Sequence, residues 1–270
     1  MSDLKLHFVI TKSDRANALR SELILRYGNT QPCDATHIVA VGGDGTALSA
    51  WHCALWMEQR SRKTLPVYAI NCGARTDHRG ILTNPRLQSI ASLGARIAEA
   101  EPMRLHPMQA DCAMAAGGRQ DTFFGFNEIA VRINMYGTAC LSAAIVSDAM
   151  TPVDEFSVVG DGILMATPIG ASAYYKNAGG RTLAGFGPMQ ELDAAYLAGA
   201  RKFGIQTICG RPPRNEVIPD THQLHVRVCD SEFRPTCVMR DDGRVSPPIV
   251  SARIFKARTP ISVLWDRERS

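Results

Sequence analysis

The sequence predicts an N-terminal α/β domain followed by a β-rich C-terminal domain, and three observations carry that prediction. Up to about Ala100, short β-rich runs alternate with helical apolar patterns. Beyond about Arg104 the texture changes to short alternating runs separated by glycine-rich turns. A chain of 270 residues, 45% apolar and 21% charged, is long enough to bury one large core or two modest ones. The expected domains are 1–104 and 105–270, and the segment from about Val250 packs either within the second or back on the first.

LKLHFVI (4–10) reads as the first strand, followed by a helix from about Ser13 to Tyr27 closed by Gly28, and then by the strand HIVAV (37–41). After Gly42-Gly43-Asp44-Gly45-Thr46, the apolar residues Leu48, Trp51, Ala54 and Leu55 fall on one helical face. LPVYAI (65–70) reads as a third strand, and Asn84-Pro85 supplies an N-cap and a first-turn proline for a helix through about Ala100. This is βαβ logic with a parallel sheet, Rossmann-like in arrangement. In the second domain MQADCAMAAGGRQDTFFGFNEIAVRI, QLHVRVCD and SARIF read as strands, with Gly117-Gly118 and Asp242-Gly243 suited to hairpins. One helical interruption follows Gly170, in ASAYYKNAGG.

Composition narrows the function. A net charge of +4, from 30 basic and 26 acidic residues spread evenly, argues against a nucleic-acid partner and fits a small anionic substrate. The N-terminus lacks a basic region followed by a sustained apolar one, and no stretch approaches the roughly 18 apolar residues of a membrane span. A cytoplasmic protein is expected. Eight cysteines carry no CxxC pair, so they read as reduced, mostly buried small apolar residues rather than a zinc site or disulfide framework. No metal-ligand set stands out: His222 and His225 lie three apart in a strand-like run and point to opposite faces. Ser142, Ser147 and Ser172 lack the context of a nucleophile elbow, and Arg211 to Arg214 reads as an exposed proline-rich turn.

The glycine cluster is the chemical focus. It is not a P-loop, because no Lys-Ser or Lys-Thr step follows the glycines. Nor is it a dinucleotide fingerprint, because leucine stands at position 48, where a third glycine is required. What remains is a flexible turn at a helix N-terminus, where free backbone amides and the helix dipole favour phosphate. Asp44 is at odds with a plain anion cradle, since like charges repel. It either caps the helix or meets a hydroxyl or a magnesium ion, and the local sequence leaves both readings open.

Gly-Gly-Asp-Gly-Thr resembles a signature shared by NAD kinases, by diacylglycerol and sphingosine lipid kinases and, in a related form, by phosphofructokinases. Two further stretches separate these. Asn127-Glu128 stands ahead of an alternating strand. Gly160-Asp161-Gly162 is followed by Thr167-Pro168, Gly170, Ser172-Ala173-Tyr174 and Gly179-Gly180. In order and spacing, from about His37 to Gly180, the three resemble the NAD kinase pattern, and Pro219-Asp220 and Asp242-Gly243 also sit where that family has them. Lipid kinases are not expected to carry the second and third elements in this form.

The resemblance implies transfer of the γ-phosphoryl group of ATP, or of polyphosphate, to the adenosine-ribose 2′-hydroxyl of NAD, giving NADP, in a cleft between the domains. Magnesium or another divalent cation would accompany the donor. Such chemistry needs positioning, charge stabilisation and a carboxylate to take the hydroxyl proton, which Asp44 can supply. Gly42, Gly43 and Thr46, with Asn71 and Arg75, are the implied donor-phosphate residues. Gly45, Asn127, Glu128, Asp161, Ser172, Tyr174 and Asn177 are the implied NAD residues. Asn127 can donate and accept, and Glu128 suits a ribose diol. Asp161 is assigned to the nicotinamide side, and Ser172 and Tyr174 to the adenine or ribose. The tyrosine resembles one that reaches across a subunit boundary, which implies a homo-oligomer, dimer or tetramer.

The pattern also departs from the family. In INCGARTDHRGILTN, Asn71, Gly73, Gly80 and Leu82 are kept, but the two later glycines stand four residues further apart and Ile81 replaces a common aromatic. Arg75, Asp77, His78 and Arg79 either line the donor side or form a solvated tip. Ala171 and Asn177 stand where serine is common, a change that bears on NAD against NADH. Two other readings remain: a lipid or sugar kinase with an apolar substrate pocket, and a non-catalytic NAD-binding regulator whose enlarged 73–80 loop has displaced the donor.

Overall fold

A computed structural model describes residues 4–72, 82–134, 136–180, 183, 201–241 and 243–266, without the side chain of Ser172. The chain divides into two units, the first built on residues 4–105 and the second beginning at His106. In the first, β1 (Leu6–Ile10), α1 (Asp14–Tyr27), β2 (His37–Gly42), α2 (Asp44–Ser61) and β3 (Val67–Asn71) form in the expected order, followed by α3 (Leu93–Glu99) and β4 (Glu101–Leu105). Ser13 caps α1, its hydroxyl accepting from the Ala16 N–H at 3.3 Å, and Gly28 closes it. β1, β2 and β3 pair in parallel, and the apolar faces of β1 to β3 and α1 share one core with α3. Leu48, Trp51, Ala54 and Leu55 of α2 are all buried, as the helical period requires.

The second unit contains β5 (Met108–Met114), β6 (Gln120–Gly125), β7 (Glu128–Ile133), β8 (Ala139–Val146), β9 (Pro152–Gly160), β10 (Gly162–Ala166), the short α4 (Tyr174–Asn177), β11 (Lys202–Ile208), β12 (Asn215–Pro219), β13 (Gln223–Val228), β14 (Thr236–Arg240) and β15 (Ile249–Lys256). These strands pair antiparallel in the order β12-β11-β10-β7-β14-β15-β13-β8-β9, with β5 on β15 and β6 on β5. Strict alternation in β5 (Met108, Ala110, Cys112 and Met114 buried), and alternation in β8 as far as Ile145, builds one face into a single apolar core. Gly117 and Gly118, both at positive φ, turn the β5–β6 hairpin.

The last strand, β16 (Ile261–Trp265), belongs to the first unit, parallel to β3 and antiparallel to β4. This arrangement corrects the reading of Asn84. Its backbone pairs with β3, the Asn84 N–H donating to Ala69 at 2.8 Å and its carbonyl accepting from Asn71 at 3.0 Å. Its side-chain amide donates to the Leu264 carbonyl and accepts from the Asp266 N–H, each at 2.9 Å. Committed to strand pairing, Asn84 starts no helix. Helical structure begins only at Ile90, where Ser89 caps a 3-10 turn that leads into α3. The Tyr68 hydroxyl donates to Asp266 at 2.7 Å and the Arg96 guanidinium pairs with the same carboxylate, fastening β16 further.

The cysteines also depart from expectation. Cys72, Cys112 and Cys237 are buried, whereas Cys33, Cys209 and Cys229 are exposed and Cys53 and Cys140 lie between. The exposed three sit in a turn or just past strand ends, where no core face is available to cover them. Among the described residues no helix is long and apolar enough to cross a membrane.

Candidate active site

The glycine cluster forms a strand-to-helix junction. β2 ends at Gly42, Gly43 takes the N-cap position, and Asp44 is the first residue of α2. A Cβ at Gly42 would stand 2.8 Å from Thr46 Cβ, so only glycine lets the helix start this close to the strand. Asp44 therefore does not cap its helix. Its half-exposed carboxylate accepts from the Leu82 N–H at 2.9 Å, holding Leu82 against the helix start. The first-turn amides have no acceptor within the helix. Thr46 is the exception to the expected cradle, since its N–H already donates to Gly43 at 2.9 Å. Gly45 is exposed, and Asn71 sits half-buried at the end of β3. Arg75, Asp77, His78 and Arg79 lie outside the described residues.

The second and third sequence elements meet in the other unit. β7 and β10 pair so that Ala166 lies opposite Glu128, and the residues that follow β10 fold over the Asn127-Glu128 turn. Thr167 donates its N–H to the Asn127 carbonyl at 2.8 Å and its hydroxyl to that of Phe126 at 2.6 Å. The same hydroxyl accepts from the Gly170 N–H at 3.2 Å. A Cβ at Gly170 would come within 2.7 Å of Asn127 Cα, which explains the glycine. Thr167-Pro168 thus ends a strand and also buttresses the turn.

Asp241, which the sequence reading did not single out, completes this buttress by accepting from the Phe126 N–H at 2.9 Å and the Asn127 N–H at 3.4 Å. Glu128 is only 7% exposed, and burial followed by the Asp241 charge pushes its carboxyl up to about 8. At neutral pH it carries a proton. Asn127 Oδ1 and Glu128 Oε2 are buried without a hydrogen-bond partner. Each such atom costs about 1–3 kcal/mol, so this turn holds polar capacity that the protein itself does not use.

Asp161 lies between β9 and β10, its N–H donating to Ile208 at 2.9 Å and its carbonyl accepting from Ile133 at 3.0 Å. It lines a cavity of about 530 Å³ together with Arg132, Asn134, Tyr136 and Met239. The hydrogen bond to Asp161 pushes the neighbouring Cys209 thiol up. Arg132, also absent from the sequence reading, donates to the Tyr174 hydroxyl at 3.5 Å. Tyr174 is half-buried, whereas Tyr175 is fully buried with its hydroxyl donating to Asn215 at 3.2 Å. Tyr175 belongs to an apolar cluster, and Tyr174 packs against that cluster from its partly exposed side. Asn177 is exposed at the end of α4, and Ser172 lies in the preceding 3-10 turn. The structure thus gathers Asn127, Glu128 and Asp241 at one turn, Asp161, Arg132 and Tyr174 along one run of contacts, and Gly42 to Thr46 at a separate junction.

Among the described residues no group of three or more His, Cys, Asp or Glu side chains is placed to hold a metal ion. No protein-family profile matches the chain. Individual relatives do. The NAD kinase of Caulobacter vibrioides is 29% identical over 267 residues, covering 98% of this chain and 92% of the relative. That of Rhizobium meliloti is 28% identical over 267 residues, covering 98% and 93%. That of Xylella fastidiosa (strain Temecula1) is 26% identical over 266 residues, covering 98% and 92%. Among solved structures, an NAD kinase from Archaeoglobus fulgidus in complex with ATP superposes with a TM-score of 0.67 at 20% identity, covering 98% of this chain and 95% of that one. Yeast NADH kinase complexed with NADH gives a TM-score of 0.71 at 14% identity, covering 98% and 84%. The solved structures share the fold, and the sequence likeness to bacterial NAD kinases runs over nearly the full length of this chain.

Proposed function

We propose that the protein phosphorylates the adenosine-ribose 2′-hydroxyl of NAD, with ATP as donor, to give NADP. The observation that carries this reading is the near-complete alignment with enzymes named NAD kinase. Asp44 supports it, because a half-exposed carboxylate stands at the start of α2 beside the glycine cluster, the residue type that takes a hydroxyl proton. In the proposed step Asp44 takes the 2′-hydroxyl proton, the ribose oxygen bonds to the γ-phosphorus, and the bond to the leaving ADP breaks. First-turn amides around Gly43 and Gly45 face the donor phosphates, with Asn71 and Arg75 as further donor contacts. A divalent cation arriving with the triphosphate would neutralise its oxygens.

Asn127 and Glu128 bind the NAD base and ribose edges, and their unpartnered atoms supply the polar capacity for this. Asp161 meets the nicotinamide side, and Ser172, Tyr174 and Asn177 the adenosine side. The same reading includes a homo-oligomer, testable by light scattering, and a cytoplasmic location, testable by fractionation. The activity itself is tested by incubating purified protein with NAD, ATP and magnesium and measuring NADP with an NADP-specific dehydrogenase. NADP formation is expected. NAD binding without NADP from ATP or polyphosphate would make the protein a regulator, and neither binding nor turnover would assign another substrate.

A further inference from the structure

β8 and β13 are antiparallel neighbours, with Val228 opposite Leu141, and one further step in that register sets Cys229 against Cys140. The Cys229 N–H donates to the Cys140 carbonyl at 2.9 Å, placing the two cysteines at a hydrogen-bonded site of the ladder. Such partners have Cα atoms about 5.5 Å apart, inside the span that a disulfide bridges. Cys229 is exposed and Cys140 half-buried, so both are within reach of small solutes. Burial, together with the charge of Cys229 and a hydrogen bond between the two side chains, pushes the Cys140 thiol up. Cys229, the more exposed of the two, is the thiol a small solute reaches first, and the half-buried Cys140 beside it is placed to act as the resolving thiol. The Arg234 guanidinium sits beside the pair, donating to the Thr138 carbonyl at 3.2 Å and facing Asp230 at 3.9 Å.

We propose that Cys140 and Cys229 form a surface dithiol that reacts with a low-molecular-weight disulfide to close a cross-strand bond. The Cys229 thiolate attacks one sulfur of the small disulfide, forming a mixed disulfide and expelling one thiolate. Cys140 then releases its proton to solvent and attacks Cys229 Sγ, expelling the second thiolate. Two protein thiols are oxidised by two electrons and the small disulfide is reduced to two thiols. The bond forms one register step from the Ala139–Gly160 pair that leads into Asp161, yet the proposal does not depend on the activity assigned above.

The test treats the reduced full-length protein with oxidised glutathione and maps cysteines by mass spectrometry without reduction. The expected product is a peptide pair joined through Cys140 and Cys229, reversed by dithiothreitol, with no glutathione left on either residue. The Cys140→Ser variant should instead retain glutathione on Cys229, and Cys229→Ser should react far more slowly at Cys140. A wild-type protein that retains the glutathione adduct at Cys229, or that leaves both thiols unmodified, overturns the proposal without reference to any variant.

Discussion

Glu128 gives the site a pH signature. Its carboxyl is held neutral by burial and by Asp241, up to about 8 against an ordinary 4.5. A group whose folded pKa is raised contributes stability that is complete below its unfolded value and lost as pH climbs through the folded one. Each pH unit across that window costs about 1.4 kcal/mol, so between pH 4.5 and about 8 the native state loses up to about 5 kcal/mol through this residue. Glu128→Gln keeps the shape and removes the titration. Urea unfolding at intervals from pH 5 to pH 8.5 should therefore show wild-type stability falling with pH while the variant falls much less. NAD adds a second readout, because ribose hydroxyls donating to the carboxylate favour its ionised form. At pH 7 binding should release a proton, seen in calorimetry as a dependence on buffer ionisation heat that Glu128→Gln abolishes. Parallel pH profiles for the two proteins, with no proton release in either, would refute the reasoning.

Three further perturbations test the supports. Asp241→Ala removes the acceptor for the Phe126 and Asn127 amides, and should cost about 1–3 kcal/mol in thermal unfolding and raise the KM for NAD more than it lowers kcat. Gly204→Ala places a Cβ 2.5 Å from the Tyr175 ring, and chemical denaturation should show a loss of about 1–3 kcal/mol with poorer solubility. Asn84→Ala leaves the Leu264 carbonyl and Asp266 amide unpartnered, and should lower stability by about 2–4 kcal/mol, with faster hydrogen exchange in β16.

The legible part of the protein is local. The cap of α1, the buried face of α2 and the hairpin at Gly117-Gly118 follow from neighbours a few residues apart, and each forms where the sequence puts it. Segments such as Gly42 to Thr46 and Thr167 to Gly170 are also contiguous, so their strand-to-turn character can be read directly. What escaped the reading depends on distant partners. Asn84 looks like a helix cap until β16, some 180 positions away, takes both ends of its side chain. Asp241 reaches Phe126 across 115 positions, and only its position beside the Asp242-Gly243 step marked the region. The two readings of Asp44 were balanced locally because either an aspartate or the preceding glycine can cap a helix. The structure gives that place to Gly43.

The most direct measurement is a comparison of wild-type protein and Asp44→Asn, with NADP formation and NAD binding recorded on the same preparations. If Asp44 takes the hydroxyl proton, turnover should fall by about 100-fold or more while the Kd for NAD stays within about threefold. NADP formation by the variant within a few-fold of wild type would contradict the account, and would leave Asp44 as an anchor for Leu82.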